Sequence, residues 1–338
     1  MIKQEQNINE LYKSTFGCFP DSILRLPNSG SDRIYFRVIS KKKTVIAVCN
    51  KDKKENRAFI DFTKQFLKSN INVPEIIAND SNTDVYLLSD LGDKTLLEWL
   101  LGNRKSDTFP SIAINLYKKV LSELARMQII AGKNFDYSYS YPYKEFDKNA
   151  IVFDLKYFEE KYLLKTGIDY NILNLQSEFD LFANHLLNEK NNYFLFRDFQ
   201  ARNIMLVNNK PFFIDYQGGR KGALQYDVVS LLYQAKAQIP EQVKEELLHY
   251  YISIAKEYTE INIETFTKYY YSFALIRVLQ TLGAYGLRGI IEQKTHFLES
   301  IPLAINNLKE LYYKVEILNE LSELKSIISK IINKNIKN

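Results

Sequence analysis

Asp198, Asn203 and Asp215 stand five and twelve residues apart inside FLFRDFQARNIMLVNNKPFFIDYQ, Phe194 to Gln217. Tyr193 to Phe196 is a short apolar run and reads as a buried strand. A polar loop, Arg197 to Asn203, follows it. Ile204 to Val207, the turn Asn208–Asn209–Lys210 and Pro211 to Ile214 then read as a hairpin. Folding that hairpin sets two loops side by side, so that one Asp, one Asn and a second Asp can face a single point. A hard Mg²⁺ ion takes oxygen ligands, and a carboxylate with an amide carbonyl leaves room for phosphate oxygens and water. A separate carboxylate beside the ion can receive or orient the proton of an attacking hydroxyl. The plainer reading is that three polar residues punctuate strand ends, as Asp and Asn often do. The hairpin, the second acid and Asp227 in register argue against it.

D-x-x-x-x-N, a hairpin, then an Asp after an apolar run is the catalytic pattern of kinase-like phosphotransferases. On these residues the sequence resembles the aminoglycoside phosphotransferase and choline kinase-like family. FRDFQARN, FFIDYQ and QYDVVSLL are most similar to the bacterial branch that includes the anomeric kinases of N-acetylmuramate and N-acetylglucosamine. The resemblance runs from about Asn28 to Leu311 and is densest from Phe194 to Leu232. It implies an α+β, bilobal protein kinase-like fold with a small β-rich amino-terminal lobe and a larger, mostly helical carboxy-terminal lobe. It also implies ATP and Mg as cofactors, a small hydroxylated acceptor, Asp198 as catalytic base, and Asn203 and Asp215 as metal ligands. Asp227 would brace the catalytic loop through the backbone of Arg197 to Phe199, besides serving as an N-cap.

The elements that must position these residues follow from pattern. Residues 1–88 read as a nucleotide-binding lobe: a helix Asn7 to Phe16, strands Ile23 to Leu26, Tyr35 to Ile39 and Thr44 to Cys49, a helix Glu55 to Lys68, and a strand Val85 to Leu88. PNSGSDR lies where a phosphate-covering loop belongs, so that Ser29, Gly30 and Ser31 could offer backbone N–H groups and Arg33 a charge. A plain hairpin turn is the alternative there. Leu88, Ser89 and Leu91 form the expected hinge, receiving adenine through backbone groups. Asp90 and Asp93 read as caps of the helix that follows.

Residues 89–338 read as the helical lobe with the catalytic loop, metal site and acceptor pocket. Asp154 opens a helix to Leu164, where a carboxylate could meet paired sugar hydroxyls; an N-cap or surface acid is the plainer reading. Gln217 and Arg220, in a glycine-bearing loop after Asp215, could contact acceptor or phosphate, or decorate a flexible basic surface. Arg288 sits in GAYGLRG, three glycines that interrupt the helical tail, and could face an anionic acceptor or lie on a helix surface.

Two departures stand out, the first from protein kinases and shared by the resembling branch, which also lacks a regular lysine in its third strand, the second from the commoner pattern of relatives. Ala47 and Val48 occupy the third strand where kinases carry a phosphate-clamping lysine. Lys51, Lys53 or Lys54 could reach in from the strand end, with Glu55 as helix partner. FRD replaces a commoner His-before-Asp, and Gln200 stands where many relatives have His. An aminoglycoside, choline or other small-alcohol kinase is therefore a second reading, and Tyr137 to Tyr143 are aromatic enough for a choline cage. A nucleotide-binding pseudokinase or scaffold is a third. A protein kinase is disfavoured, because no A-P-E segment follows Asp215 before Asp227.

Composition bounds the rest. The 338 residues are 46% hydrophobic and 25% charged, with a net charge of +5, too small without a concentrated patch to suggest a nucleic-acid partner. Two cysteines, Cys18 and Cys49, build no disulfide framework, and three histidines, all in helical patterns, leave no zinc site. The opening MIKQEQNINELYK lacks the apolar core of a signal peptide, and no apolar run is long enough to span a membrane. The expectation is a cytoplasmic protein.

Overall fold

The computed structural model describes residues 2–27, 33–105 and 109–336. Five strands pair antiparallel in the order β1-β2-β3-β5-β4: β1 (Ser22–Arg25), β2 (Ile34–Ile39), β3 (Val45–Cys49), β4 (Ile76–Asp80) and β5 (Val85–Ser89). Alternation divides the sheet's side chains between two cores. Phe36, Val38, Val45, Ala47, Val85 and Leu87 meet Ile8 and Tyr12 of α1 (Ile2–Phe16), while Val48, Tyr86 and Leu88 join Phe59 of α2 (Lys53–Lys68). β4 is an edge strand absent from the sequence expectation; IIAND does not alternate, and its pairing slips between Ile76 and Ala78.

α2 is capped by Asp52, whose side chain accepts from the Lys54 and Glu55 N–H groups, and it buries Phe59, Phe62 and Phe66. Beyond the sheet come α3 (Leu96–Asn103), α4 (Ser111–Ala125), α5 (Lys148–Phe158), the single turn α6 (Leu164–Thr166) and α7 (Ile172–Leu187). β6 (Tyr193–Leu195) leads to the hairpin of β7 (Ile204–Val207) and β8 (Lys210–Phe213). Its turn is two residues rather than three: Asn208 and Asn209 both take positive φ, 51° and 60°, as a type I′ turn requires, and Lys210 pairs with Val207. β9 (Arg220–Gly222) then pairs with β6, and α8 (Leu224–Leu232) packs against β6. The tail is α9 (Glu241–Ala255), α10 (Ile263–Tyr285), the short α11 (Thr295–Leu298), α12 (Ile301–Leu311) and α13 (Ser322–Ile336).

Several expectations give way to tertiary packing. The helix bearing Asp154 begins at Lys148 behind the N-cap Asp147, so Asp154 lies mid-helix and wholly buried. The helix of Asp227 begins at Leu224, which removes Asp227 from the capping position. Asp90 and Asp93 cap nothing: Thr95 caps α3 in a box with Glu98, and both acids bind Arg37. The Gly218–Gly222 stretch is no flexible loop, because its last three residues are β9, and a Cβ at Gly222 would strike Leu195 across the ladder. GAYGLRG does not interrupt the tail; α10 passes through Gly283 and continues as a π turn, Gly286–Ile291. These glycines allow close approach to α5 and the turn after it, since a Cβ at Gly286 would overlap the Lys161 carbonyl.

Candidate active site

The hairpin gathers the three polar residues beneath a cleft beside the sheet. Asn203 Nδ2 donates to the Asp198 carbonyl at 2.9 Å and lies 3.4 Å from Asp215 Oδ2. With the amide nitrogen so used, Asn203 Oδ1 is left for another partner. Ile214 N–H donates to the Asn203 carbonyl at 3.1 Å, which fixes the loop ends together. Asp215 has a positive φ of 71°, and Gln217 Nε2 donates to its Oδ1 at 2.8 Å. Gln217 therefore holds the acid. Among the described residues no three His, Cys, Asp or Glu side chains form a metal cage. Asn203 and Asp215 together supply two oxygen donors, which suits an ion that completes its shell with phosphate and water.

Asp198 stands among arginines. Arg277, from α10, donates through Nη2 to Asp198 Oδ1 at 2.9 Å and through Nε to Ser230 Oγ at 3.0 Å. Burial works against the charge of Asp198, yet Arg277, then Arg197, Arg202 and Arg220, hold its carboxyl below the ordinary range. Arg197, at a positive φ of 85°, forks onto Asp154, donating to both carboxylate oxygens at 2.6 and 2.7 Å, and also donates to the Tyr226 hydroxyl. The acid that could have met sugar hydroxyls is thus occupied in seating the residue before Asp198. Arg220 is buried in β9; its Nε donates to the Gly218 carbonyl at 3.0 Å, and the guanidinium lies over the Tyr143 ring. Among the described residues no acid pairs with Arg220, and burial next to Arg197 pulls its guanidinium down to about 10. Arg202 is exposed.

Asp227 accepts from the Phe196 and Arg197 backbone N–H groups at 2.7 and 3.0 Å, and from Gln128 Nε2 at 3.1 Å. It ties the loop that bears Asp198 to the helical core. Burial pushes its carboxyl up to about 7 against those three donors. Arg288 is placed elsewhere, on the turn after α10, where Glu292 accepts from it at 2.7 Å.

Above the hairpin, a cleft of about 410 Å³ runs along Tyr35, Arg37, Ile46 and Tyr86 to the strand end at Leu88 and down to Asn203 and Asp215. Of the three residues expected at the hinge, Ser89 spends its N–H on the Glu75 carbonyl at 3.0 Å. Leu91 carries no backbone hydrogen bond among the described residues and lines the cleft. Ser29, Gly30 and Ser31 lie outside the described residues. Arg33 is buried, with Nη2 2.7 Å from Glu55 Oε1 and Nη1 3.6 Å from Asp215 Oδ1.

Residues 22–261 match the model of the phosphotransferase enzyme family. The chain belongs to that family. It is a small-molecule kinase with a kinase-like fold, a sheet-built amino-terminal part followed by a mostly helical one. It is 24% identical over 246 residues to an N-acetylmuramate/N-acetylglucosamine kinase of Neisseria meningitidis, covering 71% of this chain and 70% of that protein. A Pseudomonas aeruginosa protein of the same name is 26% identical over 227 residues, 66% of this chain and 62% of its own length. The choline kinase LicA of Streptococcus pneumoniae superposes with a TM-score of 0.57 at 14% identity, covering 91% and 99% of the two chains. An amicoumacin kinase in complex with AMP-PNP and Ca²⁺ gives 0.60 at 12% identity, covering 90% and 92%.

Arg277 and Arg202 were not among the residues expected at the site. Arg277 had a signal: it is the single charge between Ser272 and Tyr285, in a helix apolar on every side. A lone buried charge needs a partner, and Asp198 is that partner. Among the described residues no helix is long and apolar enough to cross a membrane.

Proposed function

We propose that this kinase transfers the terminal phosphoryl group of ATP to the anomeric hydroxyl of an amino sugar of the N-acetylmuramate/N-acetylglucosamine type. The observation that carries the choice of acceptor is the charge around Asp198. Arg197, Arg202, Arg220 and Arg277 surround it, against Asp154, Asp215 and Asp198 itself. Such a surplus of cations repels choline and the polycationic aminoglycosides, and it tolerates a neutral or anionic sugar. The aromatic loop from Tyr137 to Tyr143 offers no cation cage of its own, since Arg220 and Lys221 already lie over Tyr143 and Tyr137. The two amino-sugar kinases among the relatives support the same choice, and the AMP-PNP-bound neighbour supports ATP.

In this reading Asp198 orients the acceptor hydroxyl and takes its proton. An anomeric hydroxyl is more acidic than an ordinary alcohol, so a carboxylate that Arg277 keeps ionised is adequate even though the same arginine weakens it as a base. Asn203 Oδ1 and Asp215 would hold the divalent ion, Mg²⁺ by its ligand chemistry, which when bound would supply charge neutralisation at the phosphates. Arg197 and Asp227 keep the Asp198 loop in shape, and Leu91 offers the purine a donor and an acceptor.

The test is ATP turnover with Mg²⁺ against amino sugars, choline and aminoglycosides, with the product identified by phosphorus NMR. A sugar 1-phosphate is expected. Turnover of choline or an aminoglycoside, with every amino sugar inert, overturns the acceptor assignment.

A further inference from the structure

The strand position from which a kinase lysine usually reaches the phosphates is closed. Ala47 points away from the cleft into the core beneath α1, and Val48, which faces the cleft side, is fully buried. The candidate lysines do not fill in. Lys51 is exposed, Lys53 reaches outward to Asp84 at 3.8 Å, and Lys54 lies over the Tyr141 ring.

Arg33 does reach. β2 and β3 are antiparallel with Ile34 opposite Cys49, so the start of β2 meets the end of β3 where α2 begins. From there the guanidinium lies between Glu55 in the first turn of α2 and Asp215 at the end of the catalytic hairpin. Glu55 is held in turn by Asn50, whose Nδ2 donates to Oε2 at 2.8 Å. Among the described residues Arg33 Nε is buried without a hydrogen-bond partner, and Nη2 approaches Glu55 out of line for one. A buried guanidinium with unspent donors, between a helix acid and a metal-site acid, is arranged to take up further oxygens.

We propose that Arg33, reaching from the start of β2 and oriented by Glu55, clamps the nucleotide's phosphate chain in place of a β3 lysine. This rests on the nucleotide-dependent reading above and assigns its phosphate grip. Two ion pairs hold the arginine, and its planar fork presents two parallel N–H donors to phosphate oxygens where a lysine offers a point charge.

The experiment is a calorimetric affinity series with adenosine, AMP, ADP and ATP, with Mg²⁺ present. In Arg33→Met the affinities for ADP and ATP should fall by about tenfold or more while adenosine stays within about twofold. Arg33→Lys should restore part of the loss. Glu55→Gln should lose affinity in the same order, and combining it with Arg33→Met should add little further. Equal loss across the series overturns the proposal, because it marks a purely structural arginine; so does an unchanged series. A wild-type protein that binds neither adenosine nor ATP fails the nucleotide reading itself, whereas one that binds the two alike overturns only the clamp, which separates the two failures. Adenosine binding also reports that each variant is folded.

Discussion

Asp198 and Arg277 work as a pair, and their variants should reveal it. Asp198→Ala is expected to reduce turnover by roughly 10²- to 10⁴-fold while nucleotide affinity holds, and to lower the melting temperature, because Arg277 is left buried without its acid. Near-normal turnover would remove Asp198 from the base role. Arg277→Met should lower kcat more than it raises the KM for acceptor, and the double variant should be little worse than Asp198→Ala. Additive losses would mean that Arg277 acts independently of the acid it binds. Asp227 makes a different prediction. Its carboxyl is raised to about 7 by burial, so the folded protein holds that proton more tightly than the unfolded chain does. The stabilisation is complete in acid and is lost as pH rises from about 4 towards about 7. Asp227→Asn cannot titrate. The melting temperature of the wild type, measured relative to that variant, should therefore decline across this interval. A constant difference would place the carboxyl's proton affinity in the ordinary range.

At the scale of elements, close approach decides which substitutions the fold accepts. Gly286→Ala puts a methyl group against the Lys161 carbonyl, which is backbone and cannot swing aside. The helices must part, and a loss of about 1–3 kcal/mol is expected in denaturant unfolding. Stability unchanged by that substitution would show that the turn yields easily. The same elements explain what was legible beforehand. The FRDFQARN loop and its hairpin could be read because strand, turn and polar residues follow one another within a short stretch, and local chemistry dictates each. Arg277 and β9 could not be read that way. Arg277 lies on a helix remote in sequence from Asp198, and β9 exists only because β6 lies beside it. Asp154 and Asp90 read as caps for the same reason: a cap is what local rules offer an acid, and only the folded chain supplies Arg197 and Arg37 as competitors. Arg288 is the converse case, where a surface Glu292 took a residue expected at the acceptor.

At the scale of the whole molecule, the sheet and the helices share one aromatic core. Phe59 stacks on Tyr216 at 4.9 Å, Thr63 Oγ1 and the Tyr216 hydroxyl lie 2.5 Å apart, and Phe66 meets Phe135, Phe194 and Tyr216 edge-on or tilted. Calorimetry should accordingly record a single unfolding transition, with its van't Hoff and calorimetric enthalpies in agreement. Two resolved transitions would mean that this core fails to couple the halves. One helix runs through all of these contacts. α2 presents Glu55 to Arg33 in its first turn, then Phe59, Thr63 and Phe66 to the residue adjoining Asp215. It is a lever with both ends loaded. A tilt that frees the arginine also unseats the hairpin's last acid, so the proposed phosphate grip and the proposed ion seat are expected to weaken together.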